Sequence, residues 1–162
     1  MADMMVRQIH SLLIPLAQDF LLLPNAAVAE VVHSTASIEQ IETSKLWFIG
    51  LLPWRKLSVP LISYDAALGG QQYPPQGRGK QKYAIIKAVG NDPEFKFFAL
   101  ITAGIPQLTK IDKATISPMP DRVEDNPFIS KFVFVKDLPA MIPDLEYAER
   151  SIKELLIMEV SP

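Results

Sequence analysis

Short runs of branched and aromatic residues recur along this chain, each four to seven residues long. They are SLLIPL (11–16), FLLL (20–23), WFIGLL (47–52), SVPLIS (58–63), YAIIKAV (83–89), FKFFALI (95–101) and KFVFVKD (131–137), with Gly, Pro, Asn or Asp close by. Runs of this length between turn formers predict the strands of a small barrel or sandwich. Asn91-Asp92-Pro93 is a turn signal between two of them. Fourteen prolines against seven glycines agree with many short elements rather than long helices. A chain of 162 residues suits one domain, or two small lobes that share a core.

Residues 12–23, LLIPLAQDFLLL, are the most apolar stretch, yet Gln18 and Asp19 divide them. A membrane helix needs about 20 apolar residues, so no span and no direct membrane insertion are expected. Arg7 before the run and Ala27-Val28-Ala29 after it resemble a leader peptide. Asp19 in the middle and Asp3 at the start fit a hairpin turning at Gln18-Asp19 better, and with it a cytoplasmic protein. Residues 69–82, GGQQYPPQGRGKQK, have almost nothing to bury and predict a surface loop. Residues 144–159 predict the one long helix, with Asp144 as N-cap and Leu145, Ala148, Ile152, Leu155 and Leu156 on one face. Glu149 with Lys153, and Arg150 with Glu154, are expected to pair on the solvated face.

The chain also looks doubled. Residues 11–31 give strand, turn, strand and a small-residue tail, and 83–111 give the same order. Each is followed by an aromatic strand, WFIGLLPW or FISKFVFV, and each half closes on an apolar-Pro pair, Val59-Pro60 or Ile142-Pro143. Two lobes of similar build are expected, at about 11–68 and 83–143.

Reactive constellations are scarce. The absence of cysteine excludes disulfides, thiolate metal sites and cysteine nucleophiles. His10 is expected in a frayed terminus, and His33 ends an apolar segment as a structural residue. Gly79-Lys80 lacks the earlier glycine of a phosphate loop, and no G-x-S-x-G elbow occurs. Asp121, Glu124 and Asp125 read as a solvated loop or helix cap, and Glu39 with Glu42 would share a face only on a helix. No nucleophile, base and orienting group converge, so an enzyme, a cofactor and a metal site are not expected. A formal net charge of −2 lacks the positive field that nonspecific nucleic-acid binding needs. The alternative is an SH3-like barrel that binds small anions or RNA through Tyr73, Arg78, Lys80 and Lys82 of loop 69–82.

The stretch Gly50-Leu51-Leu52-Pro53-Trp54-Arg55-Lys56-Leu57-Ser58-Val59-Pro60-Leu61-Ile62 resembles the pattern G-V-x-N-L-R-G-x-x-x-P-V-I-D of the CheW-like family of chemotaxis adaptors. Upstream, Pro24 to Val31 resembles the family's P-x-x-x-V-x-E-I. Downstream, Leu100-Ile101 with Gly104-Ile105, Ile116-Ser117-Pro118-Met119-Pro120 and Met141 to Glu146 resemble its second-lobe strand, proline turn and closing segment. The resemblance spans about residues 11–157. Pro53, Trp54 and Lys56 stand where the pattern has Asn, Leu and Gly, and Ser63 replaces Asp. Ala99 and Ala103 stand where the second lobe usually has Gly and Asp. Lys56 in place of glycine implies a turn that avoids positive φ or strains to reach it.

The resemblance implies a mainly β fold of two packed, five-stranded SH3-like barrels with a C-terminal helix. It implies a non-enzymatic adaptor joining a methyl-accepting chemoreceptor's cytoplasmic tip to the regulatory domain of a CheA-like histidine kinase. The departures are similar to those of ChpC-type accessory adaptors of type IV pilus (twitching) systems. Carried over by position, Val28, Glu30 and Arg55 would line the receptor-facing groove, Val28 by apolar contact and the other two by charge. On the residues alone, Val28 would be core and Glu30 and Arg55 a surface pair, with Trp47, Phe48 and Trp54 in the core.

Overall fold

The computed structural model describes residues 8–33, 37–72, 82–122 and 125–160. In chain order the elements are β1 (Ile9–Pro15), β2 (Phe20–Pro24), β3 (Val28–His33), β4 (Glu39–Gln40), β5 (Phe48–Trp54) and β6 (Leu57–Ile62). A one-turn helix α1 (Tyr64–Ala67) follows, then β7 (Lys82–Lys87), β8 (Phe97–Thr102), β9 (Gln107–Ile111), β10 (Ile116–Pro118), β11 (Ile129–Val135), β12 (Leu138–Pro143) and α2 (Leu145–Val160). The expected hairpin at 11–23 forms, with the Leu16 N–H donating to the Asp19 carbonyl at 2.7 Å. His10 is not frayed, because β1 pairs with β9 and sets it opposite Lys110.

Two curled sheets result, ordered β10-β11-β12-β2-β1-β9 and β3-β7-β8-β6-β5-β4. Each has six strands rather than the five that the resemblance implies, counting the two-residue β4 and the three-residue β10. The orders coincide when β1 is matched to β7, β2 to β8, and β3–β6 to β9–β12. In each sheet a hairpin has an antiparallel neighbour on one side, β9 or β3, and a parallel one on the other, β12 or β6. The sheets therefore do not follow lobes cut at 11–68 and 83–143. Hairpin β1–β2 belongs to the sheet of the second half, and β7–β8 to that of the first.

This exchange explains the unbroken apolar runs. Leu12, Ile14, Leu21 and Leu23 face a core shared by both sheets, and so do Ala84, Ile86, Phe98 and Leu100. The intervening Leu13 and Leu22 fill one barrel, while Tyr83, Ile85, Ala99 and Ile101 fill the other. A strand buried on both faces loses polar alternation and reads as continuous hydrophobe.

The pseudo-twofold extends to details. The main-chain N–H of Ser63 donates to the Trp47 carbonyl at 2.8 Å, and that of Asp144 to Phe128 at 2.8 Å. Ser63 Oγ caps α1 through the Ala66 N–H, and Asp144 Oδ1 caps α2 through Tyr147. Ser63 thus caps α1 as Asp144 caps α2. The matched Trp47 and Phe128 rings meet with centroids 5.4 Å apart. Phe48 and Trp54 are buried and Trp47 is half-buried. Tyr64 is wholly buried, donates to the Phe128 carbonyl at 3.1 Å, and has its hydroxyl pKa pushed far up by burial and then by the charge of Asp144.

The long helix starts one residue later than expected and packs Ala148, Ile152 and Leu155 into the shared core. Glu149 is not solvated: it is 4% exposed, and its carboxylate accepts the Val89 and Gly90 N–H groups at 3.1 Å each. Lys153 lies 3.9 Å from Glu149 and 3.3 Å from Asp92, which ties α2 to the β7–β8 turn. The Arg150 guanidinium lies over the Tyr147 ring, 5.7 Å from its centroid.

Gly50 is required by close approach, since a Cβ there would collide with the Glu39 carbonyl where β4 pairs with β5. Glu39 lies in β4, so Glu39 and Glu42 do not share a helix. Of loop 69–82, residues 73–81, with Tyr73, Arg78 and Lys80, lie outside the described residues. Gly70 closes α1 by donating to the Asp65 carbonyl at 2.7 Å, and Lys82 is the first residue of β7 rather than loop.

Candidate functional site

The pair Glu30 and Arg55 forms because one sheet curls. Glu30 lies on β3 and Arg55 follows β5, four places along the strand order from it, yet the curl brings them into contact. Arg55 Nη2 reaches Glu30 Oε1 at 2.9 Å, with the side chains 68% and 39% exposed. At that exposure an ion pair contributes about 0–1 kcal/mol to stability. Its geometry matters more than its energy.

Two local features present the arginine. The β5–β6 hairpin turns through Arg55 at φ 46° and Lys56 at φ 65°, both in the left-handed region. Two positive-φ central residues match the right-handed twist of the flanking strands, which favours this tight turn even without glycine. Lys56 does therefore reach positive φ, at a cost of about 1–2 kcal/mol. The equivalent β11–β12 turn does the same with Lys136 at 49° and Asp137 at 69°. Pro53 is exposed and lies beyond the two β5 residues that β4 pairs, so its missing N–H costs the ladder nothing on that side.

Trp54 joins the pair. Its Nε1–H donates to the same Glu30 Oε1 at 3.0 Å, and Arg55 Cζ stands 4.8 Å from its ring centroid. Phe97 braces the indole from β8, centroids 4.9 Å apart at 69°. Sequence reasoning assigned Trp54 to the core, where it is, but missed its polar edge. The available signal was a tryptophan beside the arginine, at a position where the family pattern has leucine.

Val28 sits apart from this cluster. A register shift between Val28 and Glu30 breaks the strand's alternation, and Val28 packs half-buried against the shared core. Its neighbour Val31 is exposed on the outer strand of the sheet. Val31 and the exposed Leu108 of β9 occupy corresponding places, opposite Ala84 of β7 and Leu12 of β1.

An apolar groove of about 370 Å³ adjoins the Trp54 corner, lined by Leu51, Leu57, Val59, Phe95, Phe97 and Leu156. Another of about 440 Å³ runs beside α2 past Trp47, Phe128, Tyr147 and Met158, with Lys45 and Glu154 at its sides. His33 is exposed on β3, and Asp121 and Asp125 are exposed loop residues, while Glu124 lies outside the described residues. Among the described residues no three His, Asp or Glu side chains are placed to hold a metal ion, and no helix is long and apolar enough to cross a membrane.

A family model described as the CheW-like domain matches residues 10–151. Among solved structures, the scaffolding protein TtCheW from Thermoanaerobacter tengcongensis is similar in fold, with a TM-score of 0.69 at 20% identity. That likeness covers 87% of this chain and 92% of the other. No curated protein sequence matches the chain.

Proposed function

Since this chain belongs to the CheW-like family, we propose that it is a non-enzymatic chemotaxis scaffold, joining a chemoreceptor's cytoplasmic tip to the regulatory domain of a CheA-like kinase in the cytoplasm. One observation carries the reading: Glu30 and Arg55, the charged positions that the family pattern brings to the receptor, meet at one exposed point. A receptor tip is a helical hairpin, and such a partner is gripped by apolar contact with charges setting the register. Val31 adds exposed apolar surface to the strand that carries Glu30, and the half-buried Val28 of the same strand would offer the partner apolar contact at its uncovered side. The departures at Pro53, Trp54, Lys56 and Ser63 are similar to those of ChpC-type adaptors, and on that likeness we read the chain as serving a pilus-linked twitching system.

The test is reconstitution of the full chain with a receptor cytoplasmic fragment and a CheA-like regulatory domain. Sedimentation should show a ternary complex, and Arg55→Glu should weaken receptor binding about 10-fold or more while lowering the melting temperature by no more than about 4 °C. Failure to retain either partner, even in the ternary mixture, would count against the scaffold. The pathway is checked in cells: loss of the gene should alter twitching and leave swimming intact.

A further inference from the structure

Building on that reading, we propose that Trp54 is a positioning residue, holding Glu30 and Arg55 in one arrangement before any partner arrives. A leucine at this place would fill the barrel corner but offer neither an N–H nor an aromatic face. The indole offers both. Its N–H binds Glu30 Oε1 at 3.0 Å, and its ring lies under the Arg55 guanidinium, 4.8 Å from centroid to Cζ. Phe97 braces it edge to face, and Trp54 as a residue is 8% exposed.

The geometry has a direct physical consequence. A buried indole N–H without an acceptor is costly, so it draws the otherwise exposed Glu30 carboxylate inward to one rotamer. The same oxygen then receives Arg55 Nη2 at 2.9 Å. Long charged side chains normally surrender rotamer freedom on binding, which subtracts from affinity. Here that freedom is already restricted in the free protein. The Arg55 side chain stays 68% exposed, and its guanidinium is a planar fork suited to a carboxylate on the partner's helix. Trp54 therefore tunes the receptor contact without touching the receptor's reading edge.

The experiment uses the full chain and two readouts. In the free protein, the Trp54 indole N–H resonance (assigned with Trp47→Phe) should move in Glu30→Ala, and the Arg55 guanidinium order parameter should fall in Trp54→Leu. Trp54→Phe keeps a ring and loses only the N–H, so it serves if the leucine variant folds poorly. Binding to a purified cytoplasmic fragment of a methyl-accepting chemoreceptor, carrying the signalling tip, should weaken about 3- to 10-fold in Trp54→Phe and in Glu30→Ala. Their double variant should be no weaker than the weaker single. Additive losses, or an Arg55 as ordered without the indole as with it, would overturn the proposal. If Arg55→Ala leaves receptor binding unchanged while both spectroscopic effects hold, the receptor reading fails and the positioning stands.

Discussion

Glu149 shows how one residue can defeat a periodicity argument. Its i,i+4 relation to Lys153 is real, at 3.9 Å, yet the carboxylate points into the protein and receives two main-chain N–H groups. Replacing it with alanine removes the acceptor of both donors, at about 1–2 kcal/mol because water can reach them, whereas Glu149→Gln keeps an acceptor oxygen and should cost less. Urea denaturation of the two variants checks the order. Asp92, across the same junction, has its carboxyl pKa held below the ordinary 3.8, first by the Glu94 N–H and then by Lys153. A depressed folded-state value contributes stability above pH 3.8 that is lost as pH falls through the lower folded value. Asp92→Asn should therefore flatten the acid limb of the stability curve below that pH and leave its slope at neutral pH unchanged.

Elements form here for reasons of differing visibility. The long helix was legible because its cap, Asp144, and its apolar stripe are both local. Strands β3 and β9 were less so: they are outer strands with half-exposed, mixed sequences, so no apolar run marks them. The β5–β6 turn carries strain that a glycine would relieve. Lys56→Gly removes a Cβ from φ 65° and adds chain entropy to the unfolded state, for a net gain of about 0.5 kcal/mol. A higher urea midpoint with an unchanged receptor affinity is the expected outcome. Trp54 belongs to this scale too, because the hairpin sets the indole where β3 passes only once the sheet has curled.

For the whole molecule, the exchange of hairpins decides how it unfolds. The shared core takes side chains from both hairpins and from α2, so neither barrel retains its inner wall when the other opens. The chain should unfold in one cooperative step, with fluorescence and far-UV circular dichroism coinciding along the urea axis. Two separated transitions would show that the barrels are independent. A fragment of residues 28–102 contains every strand of one sheet, but isolation would expose its half of the shared core. That fragment should lack the dispersed methyl resonances of a packed core.

Chain order and side-chain type alone determined that this protein is mainly β, that its halves repeat, where its main turns fall and that Asp144 caps its last helix. Those are local properties, written in runs, caps and turn formers. Only the tertiary structure decided which hairpin completes which barrel, since a run apolar on both faces demands cover without naming the strand that supplies it. It likewise decided that Glu30, Trp54 and Arg55 share one oxygen atom, because curling a sheet until distant strands meet is a property of the closed barrel and of no segment within it.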